Sequence, residues 1–145
     1  MKSLLQRVSR ATVTVNAETV GKIGQGLLVF IALDRGDDQA RADRMLDKLL
    51  AYRVFADAEG RMNSNVVDVH GGILLVSQFT LSADTSKGLR PGFSAAMPPT
   101  EAEQLYTYTL AQLRRRHAPV ASGIFGADMQ VSLVNEGPVT FLLNV

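Results

Sequence analysis

Two short segments carry polar groups where a strand has no structural need of them. Ser77-Gln78-Phe79-Thr80-Leu81 closes an aliphatic run, and Asn135-Glu136-Gly137-Pro138-Val139-Thr140 lies near the C-terminus. Ser77 and Thr140 bring hydroxyls and Gln78 an amide, while Gly137-Pro138 can present bare backbone carbonyls to a donor such as an ammonium. The pair points to a recognition or catalytic cleft built from backbone and hydroxyl groups rather than from His, Cys or a metal. Each segment also has a plain structural reading. Ser77-Gln78 can be a strand end that satisfies backbone, and Gly137-Pro138 a turn between the last strands. A recognition role for Gly137-Pro138 asks for a cis bond, a state taken by roughly one X–Pro bond in twenty.

Other chemistry is poorly supported. Ser77, His70 and Asp84 could be assembled into a triad, but Ser77 lacks the Gly-x-Ser-x-Gly elbow. His70 beside Gly71-Gly72 reads as a turn residue and His117 as a cation at a helix C-terminus. No His-x-x-x-His or acid-flanked histidine suggests a metal site, and no cofactor is implied. Gly21-Lys22-Ile23-Gly24-Gln25-Gly26 precedes a strand, whereas a phosphate-binding loop follows one, so hairpin glycines are the better reading. Arg114-Arg115-Arg116 fits a solvated helix end. Lys87 and Arg90, in a long loop, are better placed to meet a polyanion.

The elements that must hold these groups follow from periodicity. Ala11–Val15 alternates as a half-buried strand, and Leu27–Leu33 and Ile73–Val76 read as strands buried on both faces. If the latter strand continues, Ser77 and Phe79 face one side, with Gln78 and Thr80 on the other. Asp37-Asp38 suits a helix N-terminus, and Ala42, Met45, Leu46, Leu49 and Leu50 recur at helical spacing as far as Tyr52 or Arg53. Residues 82–99 form a long aperiodic stretch, of the kind that is functional or disordered. Thr100-Glu101-Ala102-Glu103 is a capping box for a second helix ending before Pro119. Two strands, 129–134 and 139–145, close the chain around Asn-Glu-Gly-Pro. The sum is a single α+β domain, 1–145, with a curled or barrel-like sheet and two main helices packed against it. The apolar last strand asks for a covering surface, such as a second copy.

Composition agrees. The 145 residues suffice for one core, with 46% apolar and 20% charged residues. There are no cysteines, which excludes disulfides and thiol chemistry and suits a cytoplasmic setting. Met1-Lys2-Ser3-Leu4-Leu5 soon meets Gln6-Arg7, so no signal-peptide core is expected, and no apolar run is long enough to span a bilayer. A formal charge of +1 does not advertise nucleic-acid binding, yet leaves room for a basic patch.

In order along the chain, Gln6-Arg7-Val8, Arg61-Met62-Asn63, the Ser77–Leu81 segment, Lys87-Gly88-Leu89-Arg90-Pro91 and the Asn135–Thr140 segment resemble the D-aminoacyl-tRNA deacylases, end to end. The resemblance implies a homodimer with active sites at its interface and aminoacyl-tRNA as substrate, with no membrane and no metal. It implies a cis Gly137-Pro138 that enters the partner's pocket, holds the substrate ammonium and rejects the L-hand. It further implies catalytic backbone amides at Gln78-Phe79, Ser77 at the adenosine end, Thr140 beside the pocket, and Arg7 supporting the Gly-Pro segment. Lys87 and Arg90 are candidate tRNA contacts. The family picture has the ribose 2′-hydroxyl assist the chemistry, and glycyl-tRNA, with no side chain to reject, becomes a further substrate. A non-catalytic tRNA-binding module of the same fold, or an esterase for small D-amino-acid esters, are the alternatives.

Overall fold

Strand β1 (Lys2–Val15) is the axis of the sheet in the computed structural model, which describes residues 1–145. The other elements are β2 (Glu18–Ile23), β3 (Gly26–Ala32), α1 (Gln39–Ala51), β4 (Phe55–Ala56), β5 (Met62–Ser64), β6 (Gly72–Ser77), a 3-10 turn (Phe79–Ser82), α2 (Pro99–Arg116), β7 (Val120–Ser122) and β8 (Gln130–Asn144). β8 pairs antiparallel with β1 from Lys2 to Thr14. A strand has two edges, so β2, against Ala11–Val15, and β3, against Lys2–Val8, share the other one. β6 then adds parallel to β3, and β7 parallel to β6. A Cβ on Gly21 of β2 would lie 2.6 Å from the Ser122 carbonyl of β7. The last strand therefore curls back onto β2, and the sheet is a nearly closed barrel.

This geometry needs β1 to change faces. Leu5 packs with Leu27, Val29 and Ile31 against the helices, while Val8, Ala11 and Val13 join Leu28 and Leu74 inside the curl. Between Val8 and Arg10 the register against β8 slips, two residues of β1 passing one of β8. That single extra residue, Ser9, turns the later odd-numbered side chains inward. The β1–β2 hairpin turns through Asn16 and Ala17, both at positive φ, as a two-residue connection matching strand twist demands. Gly24 and Gly26 lie at the step from β2 to β3 rather than in that hairpin.

Asp38 caps α1, accepting from the Arg41 amide at 2.8 Å, and Ala42, Met45, Leu46 and Leu49 are buried beneath it. The capping box expected at Thr100 does not form. Pro98 is the N-cap, without a side-chain cap, and Thr100 and Glu103 are exposed inside α2. Proline fixes φ near helical values and has no amide to satisfy, so Pro98-Pro99 starts the helix before Thr100 can cap it. Tyr106 of α2 donates its hydroxyl to the Leu75 carbonyl at 3.0 Å, and burial pushes its phenol up to about 12. Arg116 joins Asp43 and Asp47 of α1 at 2.6 and 3.0 Å. That much of the arginine run is helix-to-helix packing. No helix is long and apolar enough to cross a membrane.

Two further expectations need correction. The first strand begins at Lys2, not Ala11, because its N-terminal half is half-buried between two neighbours and carries Lys2, Gln6 and Arg7. The last two strands are one, β8, which continues past Gly137-Pro138.

Candidate functional site

β6 delivers Ser77 to the rim of the sheet, where the chain leaves the strand for a 3-10 turn at Phe79. The strand alternation therefore stops at Ser77. Ser77, Gln78 and Phe79 all line a single cavity of about 620 Å³. Its walls are mainly apolar and include Phe93, Phe125 and Met129. Phe79 is 59% exposed and packs on Phe93 with ring centroids 5.0 Å apart, an aromatic surface at the mouth. The Gln78 amide donates to the Ile31 carbonyl at 2.8 Å, which commits it to the sheet. Its side chain donates to the Thr80 hydroxyl at 2.6 Å.

The turn is tied down from below. Ser82, buried at its end, donates to Asp34, which also meets the Met1 ammonium at 3.4 Å and Lys2 at 3.5 Å. Burial pushes the Asp34 carboxyl up, but the Ser82 hydroxyl and these two cations outweigh it and hold the carboxyl below its usual value. Hydrogen bonds close the stretch after the turn: Asp84 and Gly92 exchange backbone bonds of 2.7 and 2.9 Å, and Arg35 donates to the Ser94 carbonyl at 2.9 Å. Lys87 and Arg90 stand exposed on the loop so closed.

Gly137-Pro138 lies elsewhere. Gln6 pairs with Thr140 and Val8 with Asn135, so Arg7 alone on β1 faces Glu136, Gly137, Pro138 and Val139 on β8. The excess is extruded as a bulge in which these four residues have no β1 partner. The Gly137–Pro138 bond is cis and Gly137 has φ +124°. Arg7 reaches across, its Nε donating to the Glu136 carbonyl at 3.2 Å and its Nη1 to the Val54 carbonyl at 2.7 Å. Sequence reasoning singled out this pair without seeing that it interrupts one strand.

Within one chain the two motifs do not meet. Ser77 is on β6 and Thr140 on β8, three strands apart in the order β6–β3–β1–β8, which is roughly 14 Å across the sheet. Neither Gly137, Pro138 nor Thr140 lines the cavity. The Thr140 hydroxyl accepts from the Gln6 amide at 3.2 Å, a donor that cannot act as a base. The triad fails on distance. His70 precedes β6 and Ser77 ends it, roughly 20 Å apart at strand rise. His70 is an exposed turn residue at φ +50°. His117 forms the C-cap of α2, its Nε2 2.7 Å from the Gly71 carbonyl. No three His, Asp or Glu side chains gather where they could share a metal ion.

Fold and site together define a class: a nearly closed barrel with two covering helices and a mainly apolar, aromatic-walled cleft whose polar side chains are Arg35, Ser77 and Gln78. The sequence pattern of the D-Tyr-tRNA(Tyr) deacylase family matches residues 4–144. The D-aminoacyl-tRNA deacylase of Cellvibrio japonicus is 61% identical over 145 residues, covering 100% of this chain and 99% of that protein. A solved structure described as "c-Myc DNA Unwinding Element Binding Protein" superposes with a TM-score of 0.96 at 42% identity, covering 100% of this chain and 99% of the other. A second, described as a probable eukaryotic D-amino acid tRNA deacylase, has a TM-score of 0.85 at 19% identity over 99% and 98% of the two chains, and bears on the fold alone. The chain belongs to the D-aminoacyl-tRNA deacylase family and is a hydrolase.

Proposed function

We propose that the protein hydrolyses the ester joining a D-amino acid to the terminal adenosine of tRNA, leaves the L-ester intact, and works as a homodimer. In this reading the Gly137-Pro138 bulge of one protomer completes the cleft of the other. The observation that carries it is the separation of the two motifs: the cavity holds Ser77, Gln78 and Phe79, while the bulge projects from β8 outside it. A two-fold axis resolves such a split, since each surface then serves its partner. β8 pairs only with β1, and it exposes Phe141 and Leu142 at 36% and 56%. An unpaired strand with apolar side chains is a ready surface for a second copy.

The chemistry follows from the donor set. The substrate ammonium meets backbone carbonyls of the Gly137-Pro138 segment. With ammonium and ester carbonyl both fixed, one hand of the α-carbon drives its side chain into that backbone, and rejection is steric. Glycyl-tRNA, without a side chain, passes. The tetrahedral intermediate needs a donor for its oxyanion. Because the Gln78 amide is committed to Ile31, the Phe79 amide takes this role. Ser77 shapes the adenosine end, and Arg7 supports the bulge. No general base is within reach of Thr140 or Ser77, so the ribose 2′-hydroxyl assists attack, without a metal. Lys87 and Arg90 meet tRNA phosphates, and the enzyme works in the cytoplasm beside the aminoacyl-tRNA pool. A second reading, a non-catalytic nucleic-acid binder, draws on the description of the 42% identical structure. It expects salt-sensitive binding without ester cleavage.

Complementation between protomers tests the shared site. Phe79→Pro removes one amide at the first position of a 3-10 turn, where proline's φ fits. Gly137→Ala damages the bulge. Each variant alone should be inactive, and co-expressed heterodimers should regain about half the activity, one of two composite sites being intact. Heterodimers that remain dead would contradict a site shared between protomers.

A further inference from the structure

We infer that Asn135 is a positioning residue for stereochemical selection, its side-chain amide acting as the staple that shapes the Gly137-Pro138 bulge. This rests on the reading of Gly137-Pro138 given above. The amide uses both of its hydrogens: Nδ2 donates to the Arg7 carbonyl of β1 at 3.0 Å and to the Val139 carbonyl, four residues on, at 2.9 Å. One donor group, on the last paired residue before the bulge, thus ties the bulge's final residue, Val139, to β1. The bulge needs such a tie because Glu136, Gly137, Pro138 and Val139 have no ladder partner, and buried or half-buried carbonyls require a donor from somewhere. Val139 is buried at 8% exposure, whereas Glu136, Gly137 and Pro138 are exposed. The staple holds the anchored foot of the bulge and leaves its crest toward solvent.

Division of labour with Arg7 is evident in the same contacts. Arg7 Nε takes the Glu136 carbonyl and Asn135 Nδ2 takes that of Val139, so the carbonyls on either side of Gly137-Pro138 are both drawn inward. The two carbonyls between them are then aimed by their neighbours. No other side chain type of this length does the same job. Asp has the shape but no N–H, and its carboxylate would face two carbonyl oxygens; Ser offers one donor on a shorter arm.

The test is steady-state cleavage of D- and L-tyrosyl-tRNA by Asn135→Ala, Asn135→Ser and Asn135→Asp, with a thermal melt of each. The staple predicts that the ratio of D- to L-ester kcat/KM falls by about tenfold or more in Asn135→Ala, the loss of two hydrogen bonds of ordinary net worth. The fall should be smaller in Asn135→Ser and larger in Asn135→Asp, and should appear in folded protein. A structural role would instead lower the melting temperature and the amount of active enzyme, with the ratio unchanged in all three, and that result overturns the inference. Asn135→Ser, which keeps a donor, carries the test if Asn135→Ala yields no folded protein. Gly137→Ala measured alongside separates the two ideas. If it keeps full selectivity, the recognition reading fails; if it loses selectivity while Asn135→Ala keeps it, only the staple fails.

Discussion

Replacing Gly137 with alanine probes the bulge with a single carbon. An alanine Cβ there would lie 2.8 Å from Val139 Cγ2 and 2.9 Å from Arg7 Nη2, on a residue whose φ is +124°. That backbone region belongs almost to glycine alone, and holding alanine in it costs about 1–3 kcal/mol. Arg7 can retreat, but its guanidinium is fixed by the Glu136 and Val54 carbonyls at 3.2 and 2.7 Å. Losing either bond costs about 1 kcal/mol. The chain escapes more cheaply by rotating the exposed bulge, which moves the carbonyls we propose to hold the ammonium. We expect kcat/KM for D-tyrosyl-tRNA to fall by about 100-fold or more, equivalent to about 2.7 kcal/mol of transition-state stabilisation. Because Gly137 and Pro138 are exposed and outside both apolar cores, the fold should survive with a drop of a few degrees in Tm. Single-turnover release of labelled tyrosine, with a melt of the same sample, reads both. Unchanged D-specific turnover in a folded variant would refute recognition by this backbone.

The remaining predictions concern the rest of the site. His70→Ala should retain full turnover, since His70 lies at the far end of β6 from Ser77; a loss of several orders of magnitude in kcat would reinstate a histidine base. Asp34→Asn tests the tie beneath the turn. Burial raises that carboxyl, but Ser82, the Met1 ammonium and Lys2 hold it below 3.8. A depressed folded-state pKa contributes stability above the unfolded value and loses it as the pH falls through the folded one. Asp34→Asn should therefore melt below the wild type at pH 7, and the gap should narrow as the pH falls below 3.8. A gap that is constant or widens in acid would contradict this.

Much of this architecture was legible in the residues, and the gaps have physical causes. α1 carries a clear 3.6-residue apolar period and an acidic cap, and both appear in the structure as expected. The aliphatic runs at Leu27 and Ile73 became central parallel strands because strands covered on both faces need no alternation. The first half of β1 was missed because Ser9 breaks the period that the eye follows, and because Arg7 and Gln6 serve the bulge rather than the core. The continuity of β8 was hidden by a proline, which normally ends a strand, here placed where no ladder bond is required. Whether the strand ran on past Ser77 was left open by the sequence; the 3-10 turn at Phe79–Ser82 is tied down by Ser82 reaching Asp34, a partner 48 residues away. Local pattern carries no trace of such a contact.

The central claim is stereospecific cleavage of an RNA ester by backbone and hydroxyl groups. Its most direct test is release of amino acid from matched D- and L-tyrosyl-tRNA by the purified protein with a chelator present. The account predicts rapid loss of the D-ester while the L-ester persists. Equal cleavage of both hands, cleavage of neither, or activity abolished by the chelator would contradict it.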